Sequence, residues 1–137
     1  MKSEKFRIIN SVHDYIDDLM ALYKNEWWTD KRKKEDVIKM LQNTTLVFGI
    51  VKDDKLIAFC RVLSDLVYKA LIFDVIIDKK YRGKGFSKIL LSEVFNHPKL
   101  RNVTGFELYC LEEMKSYYEK FGFKKLDLIL LKAENVC

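Results

Sequence analysis

"ALIFDVIIDKKYRGKGFSKIL", Ala70 to Leu90, decides the fold. Its first half has apolar residues at both parities, the pattern of a strand covered on both faces. Its second half is a glycine turn leading into Phe86, Ile89 and Leu90 at helical spacing, a helix that continues through Val94. Pro98 disfavours helix in the residue before it, so the helix ends at Asn96 or His97. "VTGFELYC" (103–110) then reads as a second strand. Strand, helix and strand form a crossover unit with parallel strands and a right-handed connection. Ligands in such units favour the carboxyl ends of the strands, where "YRGKG" lies.

Upstream, "EKFRIIN" predicts a first strand, and Asn10 or Ser11 a cap for a helix running to about Lys24, with Asp14 in capping-box position. A second helix is expected from Thr29 or Asp30, burying Val37, Ile38, Met40 and Leu41. Its first turn, Lys31 to Lys34, is basic at the end of the helix dipole that disfavours cations, so these side chains face solvent or meet an anion. "TTLVFGIV" and "LIAFCRVL" around "KDDK" predict a hairpin. Downstream, Leu111, Met114, Tyr118 and Phe121 predict a last helix ended by Gly122, and "FKKLDLILLK" one or two closing strands. The order β-α-α-β-β-β-α-β-α-β implies one α/β domain over residues 1–137 with a mixed sheet.

The chain has 137 residues, a hydrophobic fraction of 49% and a single proline, as expected for one core without linkers or repeats. No apolar stretch suits a signal peptide or a membrane span. Cys60, Cys110 and Cys137 lack metal or disulfide spacing and read as reduced thiols, hence a cytoplasmic protein without a metal. The net charge is +5, and five of the 25 cations (Lys79, Lys80, Arg82, Lys84, Lys88) fall within ten residues. Glycines that let backbone N–H groups converge at a helix N-terminus suit a pyrophosphate, and they equally suit a plain basic turn. Neither a dinucleotide-binding loop nor a Walker loop matches.

"YRGKGFSKILL" resembles the acetyl-CoA motif of the GNAT acyltransferases, [RQ]-x-x-G-x-[GA], with Ser87 in the last small position. "YYEKFGF" (117–123) resembles their later helix. The order of "FDV", "YRGKG", "HPKL" and "YEKFGF" is similar to a small bacterial subgroup. The resemblance implies a GNAT fold with splayed parallel strands, and N-acetyl transfer from acetyl-CoA to a primary amine of a small molecule or peptide. It implies that the backbone of Val75, Ile76 and Ile77 pairs with the pantetheine arm. The amides of Arg82, Gly83, Lys84, Gly85, Phe86 and Ser87 would hold the pyrophosphate. Tyr118 matches the general acid, and an N–H of Val75 or Ile76 would meet the oxyanion.

Asp74, buried within an apolar strand, is a candidate base whose pKa burial would raise, or else a structural carboxylate beside a water relay. Trp27 and Trp28 are candidates for an acceptor wall or a cation–π contact, or for closing the core edge. Glu113, in "CLEEMKS", stands where relatives carry an acceptor-side aspartate. Cys110 has no histidine placed to activate it. A non-catalytic acyl-CoA-binding domain is the alternative function. Nucleic-acid binding is weaker, because the aromatics are not interleaved with the cations. A monomer or homodimer is expected, with no membrane partner.

Overall fold

The structure, a computed structural model, describes residues 5–135. Five strands form one mixed sheet in sequence order. They are β1 (Arg7–Ile9), β2 (Leu46–Lys52), β3 (Lys55–Ser64), β4 (Lys69–Ile77) and β5 (Gly105–Leu108). The first three pairings are antiparallel and β4–β5 is parallel. Glu4, the first residue of the expected opening strand, and Cys137 lie outside the described residues.

Helices cover both faces. On one side α1 (Ile16–Lys24) and α2 (Lys34–Gln42) place Leu19, Leu22, Tyr23 and Val37 on Val47, Val51, Phe59 and Ile76. On the other, α3 (Phe86–Phe95) sets Phe86, Leu90, Leu91 and Val94 against Phe48, Ala58, Cys60 and Ile72. A short α4 (Lys115–Glu119) adds Tyr118 to that second layer. The three-layer arrangement explains why β4 carries apolar residues at both parities.

One irregularity in β4 shapes the site. Phe59 and Arg61 of β3 are two residues apart, but their partners Ile76 and Phe73 are three apart, so β4 carries an extra residue. Asp74 there has φ +56°, the left-handed region. The bulge inverts the strand's alternation. Ala70 and Ile72 pack toward α3, yet beyond Asp74 it is Val75 and Ile77 that do so, while Ile76 turns to α1 and α2.

Three expectations are corrected. The second helix begins at Lys34, with Lys31–Lys33 ahead of it, and Ile38 is exposed. Helix propensity lost there because Arg32 turns inward to bond Asp74. The first helix opens as a 3-10 turn at His13–Tyr15 rather than on a capping box, although Ser11 Oγ accepts from the His13 N–H at 3.4 Å. The closing strands do not form among the described residues: 124–135 have no regular structure, and Leu128, Ile129 and Leu131 are at least 80% exposed. β-propensity alone does not make a strand without a partner edge.

Candidate active site

β4 and β5 pair only from Lys69↔Gly105 to Ile72↔Leu108. Beyond Ile72, β4 continues to Ile77 while β5 has ended, so the two strands part. The edge of β4 facing β5 is open over 73–77, as its opposite edge pairs with β3. Val75, Ile76 and Ile77 therefore offer backbone groups to an extended ligand in the manner of an added strand.

The glycine turn lies at the head of this opening. Asp78 accepts from the Lys80 N–H at 2.9 Å and starts the short turn Lys79–Tyr81. Gly83 (φ +75°) and Gly85 (φ +87°) then reverse the chain into α3. After Tyr81, the next amide to find a backbone acceptor is that of Ile89, on the Gly85 carbonyl at 3.2 Å. The amides between them, including the first turn of α3, stay available to an anion. Lys79, Lys80, Lys84 and Lys88 stand exposed around them.

Two side chains of this loop are engaged elsewhere. Arg82 Nε donates to the Ile77 carbonyl at 3.1 Å, and its Nη2 bonds Glu26. Ser87 Oγ bonds the Tyr117 hydroxyl, tying α3 to α4. The replacement of a small residue by Ser87 thus serves an interhelical link.

Tyr118 is half-buried on α4, edge-on to Tyr117 (5.3 Å) and Phe123 (6.1 Å). Its hydroxyl bonds no described residue. Burial first, then the neighbouring Tyr117, Cys110 and Cys60, push its pKa up to about 12. It is fully protonated at neutral pH.

Asp74 is held differently from the expectation of a raised pKa. Its Oδ2 accepts from Arg32 Nη1 (2.7 Å), Arg61 Nε (2.7 Å) and the Tyr23 hydroxyl (3.0 Å), and Oδ1 from Arg32 Nη2 (3.4 Å). Burial would raise its pKa, but the bonds and charges of both arginines outweigh it and hold the carboxyl below its usual value. A carboxylate so stabilised is a weak base. Arg32, expected to face solvent or to meet an anion, meets Asp74. Arg61, Arg32 and Tyr23 are the functional neighbours that sequence reasoning missed. A signal existed: Arg61 in "LIAFCRVL" and Asp74 in "LIFDVII" are opposite charges in successive apolar strands.

Trp27 and Trp28 are 73% and 42% exposed, so they do not close the core. They line a shallow depression of about 450 Å³ with Thr29–Arg32 and Asp36. The Glu26–Arg82 bond joins this segment to the glycine loop. Glu113 lies exposed on the turn Glu112–Met114 after β5, with no bond to the tryptophan segment. Cys110 is exposed, while Cys60 is buried. Among the described residues, no three metal-ligating side chains cluster and no helix is long and apolar enough to cross a membrane.

A family model described as "Acetyltransferase (GNAT) family" matches residues 13–123. The chain belongs to the GNAT family. An uncharacterized N-acetyltransferase, ycf52, from Pyropia yezoensis is 26% identical over 112 residues, covering 79% of this chain and 64% of that one. A ycf52-like protein from Prochlorococcus marinus is 31% identical over 110 residues, covering 77% and 61%. The chain thus spans less than two-thirds of the length of these relatives. A GNAT-family acetyltransferase from Streptococcus pneumoniae has the same fold, with a TM-score of 0.79 at 17% identity over 96% and 98% of the two chains. The sequence relatives are of plastid and cyanobacterial type, and do not single out the small bacterial subgroup that the motif order suggested.

Proposed function

We propose that this GNAT domain is an N-acetyltransferase that takes an acetyl group from acetyl-CoA and passes it directly to a primary amine of a small molecule or peptide. The observation that carries the reading is the open edge of β4 over 73–77, running into amides without acceptors at the turn before α3.

The residues fit the cosubstrate. Val75–Ile77 offer main-chain donors and acceptors to an amide-bearing arm. The turn Arg82–Ser87 offers N–H groups, two left-handed glycines and a basic rim to a pyrophosphate. A Cβ at Gly83 or Gly85 would meet nothing within 4 Å, so the glycines serve conformation rather than clearance. Bound acetyl-CoA supplies an activated thioester.

This chain's residues supply the rest. The N–H of Val75 or Ile76 on the exposed edge is a preorganised donor for a developing oxyanion. Tyr118 Oη holds a proton for the departing sulfur. With its pKa near 12 against about 8.5 for a thiol, it acts as a strong hydrogen-bond donor whose full proton transfer is uphill. Asp74 supports the bulge of β4, and the amine loses its proton through water rather than to this carboxylate. Trp27 and Trp28 form an exposed aromatic wall for the acceptor, held near the cofactor loop by Glu26 and Arg82, and Glu113, exposed on the turn after β5, is a further acceptor-side carboxylate. The protein works in an aqueous compartment, with the cytoplasm the simplest one for its free thiols.

The test is a transfer assay with free-thiol readout, acetyl-CoA and pooled amines. Release of coenzyme A that depends on an amine supports the reading. Tight acetyl-CoA binding without turnover on any amine pool indicates the non-catalytic acyl-CoA-binding alternative.

A further inference from the structure

We infer that the acceptor amine carries a carboxylate, and that Arg61 takes this carboxylate on its two terminal nitrogens, Nη1 and Nη2. The inference rests on the acetyltransferase reading and narrows its substrate class to a compact amino acid. The Arg61 side chain is only 13% exposed, on β3 near the middle of the sheet. Its Nε donates to Asp74 Oδ2 at 2.7 Å, and its Cζ stands 5.1 Å from the centre of the Phe73 ring. Among the described residues neither Nη bonds an acceptor, and neither is sealed from solvent. Two free donors in one plane are the fork that takes a carboxylate. Charge agrees with this. Arg32 and Arg61 share the single carboxylate of Asp74, so the cluster keeps one positive charge in excess. Tyr23, its fourth member, stays protonated because burial raises its pKa. Glu107 of β5 is engaged with Lys69 at 3.4 Å, and Asp30 and Asp36 bond neither arginine among the described residues. A half-buried excess charge is costly until an anion meets it.

The fold puts this charge beside the reacting end of the site. Phe59, two residues before Arg61, packs with α1 and α2, so Arg61 lies on that same face of the sheet. Phe73 and Leu71 of β4 stand opposite Arg61 and Leu63 in register. Leu63, Leu71 and Phe73 join neither core layer, so the helices leave this part of the face uncovered. Tyr109, 60% exposed just after β5, stands edge-on to Phe73 at 5.9 Å. Arg32 links the floor to the tryptophans: it bonds Asp74 beside Arg61 and lines the depression with Trp27 and Trp28. Phe73 is only two residues from Val75, whose N–H is a candidate oxyanion donor. The acceptor's nitrogen and its carboxylate must therefore lie a few bonds apart, as they do in an α- or β-amino acid.

The test compares α- and β-amino acids with their carboxamides and their decarboxylated amines, matched side chain for side chain. Each set is run in the free-thiol assay and, with saturating coenzyme A present, titrated against backbone amide shifts. In at least one set kcat/KM for the acid is expected to exceed that for its carboxamide by about 10- to 100-fold. The acid is also expected to move the amides of residues 61, 73 and 109, which the carboxamide leaves in place. Arg61→Lys keeps the charge and a donor for Asp74 but loses the fork, and is expected to bring the acid-to-carboxamide ratio toward one. A purely structural arginine would lower both rates and leave their ratio unchanged, which overturns the inference. Should that variant not fold, butyrate, a carboxylate without an amine, is expected to compete with the amino acid and not with acetyl-CoA; failure to compete overturns it. Turnover on decarboxylated amines equal to that on the acids overturns the inference and leaves the acetyltransferase reading standing. Acid-selective shifts at 61 and 73 without turnover uphold the carboxylate site and overturn the acetyltransferase reading instead. Neither selective turnover nor selective shifts overturns the inference outright.

Discussion

Tyr118 and Asp74 are both partly or wholly removed from water, and their neighbours push them in opposite directions. Tyr118 has no counter-charge, so burial raises its pKa to about 12. Tyr118→Phe is expected to lower kcat on the order of 100-fold, with little change in KM for acetyl-CoA. Steady-state kinetics reads this directly. Because the phenol is competent only when protonated, its alkaline limb in the kcat profile belongs above pH 11. A limb near neutrality reports the amine instead.

Asp74 has two arginines, so its folded pKa lies below the unfolded one. Its contribution to stability is therefore complete above about pH 4 and is lost as pH falls through the depressed folded value. Melting curves across acid pH are expected to show this limb in the wild type and lack it in Asp74→Asn. That variant leaves Arg32 and Arg61 without their carboxylate. With those side chains 31% and 13% exposed, the expected loss at neutral pH is about 2–4 kcal/mol. If Asp74→Asn reduced turnover while melting like the wild type, the structural role argued for Asp74 would be wrong.

At the scale of elements, the glycine turn and β4 act as one device. The bulge at Asp74 re-aims Val75–Ile77, and the turn that follows offers its amides. Gly85→Ala puts a Cβ into open space at φ +87°, so its cost is conformational, about 1 kcal/mol. Calorimetric titration and melting are expected to show acetyl-CoA affinity falling by more than stability does. The hairpin, the crossover unit and the order of the elements were legible because apolar period and turn chemistry are local signals. The acetyl-CoA motif and the role of Tyr118 rest instead on the resemblance of "YRGKGFSKILL" and "YYEKFGF" to GNAT sequences. The bulge was not legible: "LIFDVII" alternates the same way with or without an extra residue, and only the register against β3 reveals it. Nor was the inward turn of Arg32 visible, because "KRKK" reads as solvated until a buried carboxylate comes within reach. "LDLILL" misled for the opposite reason, being a strong strand pattern that pairs with no edge among the described residues.

At the scale of the whole molecule, charge and topology converge. Five of the chain's 25 cations fall within residues 79–88, at the head of α3 where the parallel strands part. Four exposed lysines there are expected to make acetyl-CoA binding weaken several-fold between low salt and about 0.5 M, as screening shortens the reach of each charge. The acceptor side carries no single motif of this kind. Acceptor choice on this frame is set by individual side chains rather than by the fold.

The central claim is that acetyl-CoA lies along the open edge of β4 and against the glycine turn. Titration of an isotope-labelled sample, read by backbone amide chemical shifts, tests it residue by residue. The account predicts that the largest changes fall on residues 75–77 and 83–87, with smaller ones at Tyr118. Saturating acetyl-CoA that left those amides unmoved, or moved a different face of the sheet, would contradict it.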